Sequence, residues 1–174
     1  MSREDGFTIV ELSFACLLLL LVTGAGVTAI RHYWKVRSVE AAQDALVADM
    51  KQVQARTMSE SHPRLYGLRL SPGSTPAAGT YGVVRFDYGT QTCTEIERHT
   101  FDGGAYVSAA SFAVLNPGPT ERCRAQIAGA GTDQFVFLFA RGSATAGSAT
   151  VATAGVSKTR GVTIDGITGR VARS

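Results

Sequence analysis

The sequence predicts an α+β protein, in which a long N-terminal helix with a membrane half and an amphipathic half packs on an antiparallel β-sheet domain. Three observations predict it. Residues 12–30, LSFACLLLLLVTGAGVTAI, are 19 consecutive uncharged and mostly apolar positions. Across residues 31–61, Val39, Ala42, Leu46, Met50 and Val53 then recur at spacings of three or four, with charged residues between them. From Leu65 onward the apolar period falls to two, and turn-rich pieces punctuate the chain.

As a helix, residues 12–30 rise about 28 Å, close to the roughly 30 Å hydrocarbon core of a bilayer. Gly24 and Gly26 mark a place in this apolar half where helix could be lost locally. No Pro or Gly interrupts residues 27–62, and Pro63 is a natural stop. The stripe from Val39 to Val53 lacks sustained heptads, so it reads as a core-facing side rather than a coiled-coil seam. Tyr66, Leu68 and Leu70 alternate with smaller or charged residues until SPGSTPAAG breaks the strand. Val84, Phe86 and Tyr88 define a second strand, and further strands are expected near 93–101, 105–115, 147–153 and 160–165. Phe135 to Phe139, FVFLF, is apolar at every position, as in a strand covered on both faces. Residues 140–157, rich in Gly, Ala, Ser and Thr, are expected to include a mobile loop.

Composition narrows the class. Apolar residues make up 45% and charged residues 18% of the 174, so the chain can bury a core and is not globally disordered. Three cysteines exclude a dense disulfide scaffold. The formal charge of +3 has an address. Residues 158–174 hold Lys158, Arg160, Arg170 and Arg173 against Asp165, and the rest of the chain balances 13 basic against 13 acidic side chains.

Glu11 is the anomaly at the head of the apolar run, because a carboxylate there costs roughly 2.5–3.5 kcal/mol on insertion scales. A simple signal anchor explains the run but gives Glu11 no purpose. A secretory signal peptide has a small-residue cleavage site available at Val27-Thr28-Ala29. Against it, Arg3 is followed by Glu4 and Asp5, and a carboxylate heads the run.

The third reading is a resemblance. MSRED, then GFTIVEL spanning Gly6 to Leu12, then the apolar run resemble the N-terminus of type IV pilins and type II secretion pseudopilins. In that family a prepilin peptidase cuts after the glycine, here Gly6, and methylates the new N-terminal residue, here Phe7. Glu11 matches the family's glutamate, the fifth residue of the mature chain. The resemblance therefore implies a leader over 1–6, a transmembrane and assembly helix over 7–30, its amphipathic continuation over 31–61 and an exported β-rich domain over 62–174. A carboxylate one turn from the Phe7 amine can neutralise it, or that of a neighbouring subunit, and it suits the positive end of the helix dipole. The leader is less basic than the family's usual one. Arg31, Lys35 and Arg37 after the run would by charge counting put the C-terminal side in the cytoplasm, so the outward orientation rests on the resemblance.

QARTMSESHPRLYGLRL, FLFARG and GVTIDGITGRVARS resemble the GspH/FimT branch of minor pilins and pseudopilins, whose domain ends in a strand and a Gly-Arg turn. The implied partners are other pilins or pseudopilins, the prepilin peptidase and the inner membrane, with a single-pass anchor and a periplasmic C-terminal domain. In that compartment Cys93 and Cys123 could pair, and closing a loop of about thirty residues would stabilise by roughly 3–4 kcal/mol. Cys16 reads as a small apolar residue.

Three scattered histidines (His32, His62, His99) lack metal-ligand spacing, and no nucleophile or phosphate-loop motif stands in a convincing context. His99 and Glu97 read as a solvated pair on one strand face, and Gly129-Ala130-Gly131 as a turn. The chain thus reads as non-enzymatic, with no catalytic residue, metal, cofactor or small-molecule substrate. Two readings remain for the basic tail. One is a solvated end. The other is double-stranded DNA binding in natural transformation, with which the FimT branch is associated through C-terminal arginines, here Lys158, Arg160, Arg170 and Arg173. Arg170 and Arg173 stand three apart rather than two, and no aromatic lies in 158–174 to stack on bases. A membrane-anchored or secreted β-domain without a filament role is the remaining alternative.

Overall fold

The structure, a computed structural model, describes residues 9–60, 63–114, 118–127 and 129–174. His62 and the Gly6–Phe7 junction lie outside them. The chain divides into two compact units, Met1–Trp34 and Lys35–Ser174. Helix α1 (Ile9–Glu60) supplies the described part of the first unit and opens the second. Gly24 and Gly26 both lie within α-helix.

Among its described residues the second unit holds eight strands, one further α-helix and a 3-10 turn at Asp102–Gly104. The strands and α-helix are β1 (Arg64–Ser71), β2 (Thr80–Asp87), β3 (Thr92–His99), β4 (Ala105–Phe112), α2 (Pro119–Gln126), β5 (Gln134–Phe137), β6 (Gly147–Thr153), β7 (Arg160–Ile164) and β8 (Val171–Arg173). They form two four-stranded antiparallel sheets, ordered β3-β2-β1-β5 and β4-β6-β7-β8, where the sequence suggested one. The central strand β1 pairs Leu68 with Val83 on one side and with Val136 on the other.

The helical stripe lies in the main core. Val39, Leu46 and Met50 are fully buried, and Ala42 and Val53 nearly so. Ala42, Leu46, Met50 and Val53 pack in one cluster with Tyr66, Leu68 and Leu70 of the first sheet and Val107, Val151 and Val162 of the second. Each fully buried aliphatic side chain contributes roughly 1.5–3 kcal/mol relative to leaving it in water.

The opposite face of the first sheet has its own cluster, in which Leu65, Phe86, Phe135 and Phe137 pack with Cys123 of α2. Period-two alternation sorts β5 between the two cores: Val136 and Leu138 join the first, Phe135 and Phe137 the second. This accounts for a strand that is apolar at every position. Gly67 of β1 sits where the sheet leaves no room, because a Cβ there would meet the Val136 carbonyl and the Phe137 ring.

Strand β6 falls on the expected 147–153 segment, with Ala149, Val151, Ala152 and Thr153 buried, and residues 140–146 before it are turn with one isolated bridge at Ala144. The region after β4 contains α2, opened by Pro119 at its first turn with Glu121 beside it and Arg124 near its end.

Candidate functional site

The anchor segment is built for an apolar surround. Ile9, Val10, Phe14, Leu20 and Val22 are between 66% and 83% exposed. An 18-residue window of α1 has a mean hydropathy of 2.2 with none of it buried, long and apolar enough to cross a membrane. Its hydroxyls are satisfied within the helix: Ser13 Oγ donates to the Ile9 carbonyl at 2.8 Å and Thr23 Oγ1 to that of Leu19 at 2.7 Å. No hydroxyl donor of these two need be left bare in hydrocarbon. Glu11 is exposed in the first turn of α1, where the unpaired N–H groups favour a carboxylate.

The basic tail is not a bundle of free cations. Lys158 Nζ and Arg160 Nη2 both donate to Glu40 Oε1, at 3.0 and 3.1 Å, and Arg173 Nη2 lies 2.9 Å from Asp44 Oδ1. Between these two acids Gln43 Nε2 donates to the Gly161 carbonyl at 2.5 Å. The Lys158 and Arg160 hydrogen bonds hold the Glu40 carboxyl below its ordinary value. Arg170 differs: its side chain is exposed and has no ionic partner among the described residues. Its neighbours form a rigid turn in which Asp165 Oδ1 accepts from the Ile167 and Thr168 N–H groups and from the Thr168 hydroxyl. The hydrogen bond from the Thr168 backbone N–H above all lowers the Asp165 pKa. Gly169 closes the turn at φ +62°, and a Cβ there would collide with the Gly142 carbonyl.

Cys93 and Cys123 are bonded to one another across a separation of 30 residues, tying α2 to β3. Gln126 of α2 reinforces the tie by accepting from the Cys93 N–H at 2.7 Å and donating to the Gln91 carbonyl at 2.9 Å.

A buried ionic cluster lies on the same side. Arg69 of β1, 5% exposed, pairs with Asp133, 4% exposed, and with Glu95 of β3 at 2.6 Å. Arg98 caps the outer side of Glu95 at 2.8 Å and, with Arg69, lowers its pKa. Sequence reasoning missed this cluster. Its one signal is an arginine at a core position of an otherwise apolar strand.

His99 Nε2 lies 3.4 Å from Glu97 Oε2, both sides partly solvated, and its ring stacks on Tyr81. Tyr81 in turn donates to Asp49 at 2.7 Å, and burial raises its pKa. A cleft of about 320 Å³ is lined by Thr57, Arg64, Leu65, Tyr88, Phe139, Ala140, Arg141 and Ser143, with no carboxylate, imidazole or thiol among them. Among the described residues no three His, Cys, Asp or Glu side chains converge as a metal site would need.

A long N-terminal helix whose second part packs on a small antiparallel β-domain defines a pilin-like fold. Among solved structures, the minor pseudopilin EpsH from the Type 2 Secretion System of Vibrio cholerae is similar, with a TM-score of 0.52 at 10% identity. The match covers 79% of this chain and 96% of that one. No family model matches the sequence, and no curated protein does.

Proposed function

We propose that the chain is a minor pilin or pseudopilin, a subunit of a type IV pilus-like filament or a type II secretion pseudopilus. The observation that carries this reading is the pseudopilin-like fold over 79% of the chain. The Gly6-Phe7 junction and Glu11 supply the rest. Cleavage between Gly6 and Phe7 leaves a cationic amine, and Glu11 of a neighbouring subunit neutralises it as the apolar helix moves from the bilayer into the filament. The helix is the assembly element, and the β-domain faces outward. Prepilin peptidase, other pilins or pseudopilins and the inner membrane are the partners, and the β-domain lies on the periplasmic side.

Mass spectrometry of the mature protein tests the reading. A chain beginning at N-methylated Phe7 supports it, and one beginning near Ile30 overturns it. Glu11→Ala should leave cleavage intact while incorporation into filaments is lost. Duplex DNA recognition is a second reading, and the exposed Arg170 favours it. Lys158, Arg160 and Arg173 enter it only by leaving Glu40 and Asp44. Under that reading Arg170→Ala reduces the slope of log affinity against log salt by about 1.

A further inference from the structure

We propose that Arg31, Tyr33 and Trp34 form a collar that seats on phospholipid headgroups and sets the depth of the anchor helix. The inference rests on the membrane reading above and adds the level at which the helix stops.

Trp34 is 67% and Tyr33 54% exposed, and their rings meet edge to face with centroids 6.1 Å apart. Phe86, Phe135 and Phe137 of the β-domain behave differently, at 1% exposure or below. An indole or phenol has an apolar ring and one polar tip, so its preferred place is neither hydrocarbon nor bulk water but the boundary between them. The pair stands after the uncharged run, separated from its last residue, Ile30, which is 58% exposed, by Arg31 and His32. Arg31 lies three residues before Trp34 on the same helix face and is exposed. A guanidinium there can reach outward along the helix to a phosphodiester while its stem stays in the apolar layer.

The spacing fits a bilayer. Glu11 and Trp34 are separated by about 35 Å along a helix, and the hydrocarbon layer is roughly 30 Å thick. With Trp34 among the headgroups of one leaflet, Glu11 reaches those of the other, so the carboxylate avoids the hydrocarbon core without leaving the helix. A phospholipid headgroup can accept from the Trp34 indole N–H and the Arg31 guanidinium together, which a purely apolar partner surface cannot.

Trp34 is the single tryptophan of the chain, so its emission reports this position alone. The full chain would be reconstituted into phosphatidylcholine–phosphatidylglycerol vesicles carrying bromine either near the headgroups or near the bilayer centre. The expected result is flotation with the vesicles and quenching at least about twofold stronger by the shallow bromine. Moving the reporter one turn inward with the pair W34F and I30W should shift quenching toward the deep bromine. Flotation with Trp34 quenched by aqueous iodide and by neither bromine, or more strongly by the deep one, overturns the collar while sparing the anchor. Failure to float overturns both.

Discussion

Arg69 is an ion at a position its strand neighbours fill with Leu68 and Leu70, and its burial is compensated by Asp133 and Glu95, which accept hydrogen bonds from its guanidinium. Removing one member of such a pair leaves an uncompensated buried charge, which outweighs any packing regained. Asp133→Ala should therefore destabilise the β-domain by about 3 kcal/mol in urea unfolding, whereas replacing the exposed Arg98 should cost under about 1 kcal/mol. Equal effects of the two would show that burial is not what matters here. Glu40 poses a different question, since it is partly solvated and holds two cations of the tail. Its folded-state pKa lies below the ordinary 4.5 because Lys158 and Arg160 donate to it. The stability it contributes is complete above that value and is lost as pH falls through the depressed one. Glu40→Gln should flatten the acid limb of the stability curve below about pH 4.5 and leave its neutral shape unchanged, measured as unfolding midpoint against pH. An unchanged acid limb would mean the contacts to Glu40 carry no linkage.

At the scale of elements, the disulfide matters because α2 has little else to make it fold. It is eight residues long and mostly polar, with Cys123 buried on its inner side. A helix that short is marginal alone, so its place on the sheet depends on tertiary ties. The Cys93–Cys123 bond closes a 30-residue separation, worth roughly 3–4 kcal/mol on loop entropy. Cys93→Ser with Cys123→Ser should lower stability by that amount and expose α2 to protease ahead of the other elements. Protease susceptibility unchanged at α2 would refute the tie. The same shortness explains why α2 was illegible in the sequence, while the stripe from Val39 to Val53 was plain: a 3.6-residue period needs several turns to show. Strand β5 was legible as doubly covered because every position is apolar, yet its pairing with β1 was not, since register between distant segments leaves no local mark. For the same reason the tail arginines could be listed but not their partners. Glu40 lies 118 residues before Lys158, and only the i, i+4 spacing of Glu40 and Asp44 beside the apolar stripe hinted at a shared acidic edge. Glu11 stood out because a single carboxylate at the head of an uncharged run needs no tertiary context to be anomalous.

For the molecule as a whole, the division of labour between the two units has a thermodynamic consequence. Among the described residues every buried apolar side chain lies at or after Val39, and both clusters fall within the second unit. The described apolar residues of the first unit are exposed throughout, from Ile9 at 83% to Val27 at 49%. They contribute nothing to the folding core as it stands, and their free energy is realised only when lipid or neighbouring helices cover them. A chain beginning at Lys35 should therefore be soluble without detergent and unfold in one cooperative step. Its urea midpoint, followed by far-ultraviolet circular dichroism, should match that of the β-domain in the full detergent-solubilised chain. The amphipathic part of α1 is indispensable to that result, because Leu46 and Met50 are fully buried between the two sheets' side chains. A chain beginning after Val53 should accordingly fail to fold, since removing that stripe uncovers Leu68, Leu70, Val107 and Val151 together. Loss of cooperativity already in the Lys35 chain would place part of the folding core in the anchor and refute the division.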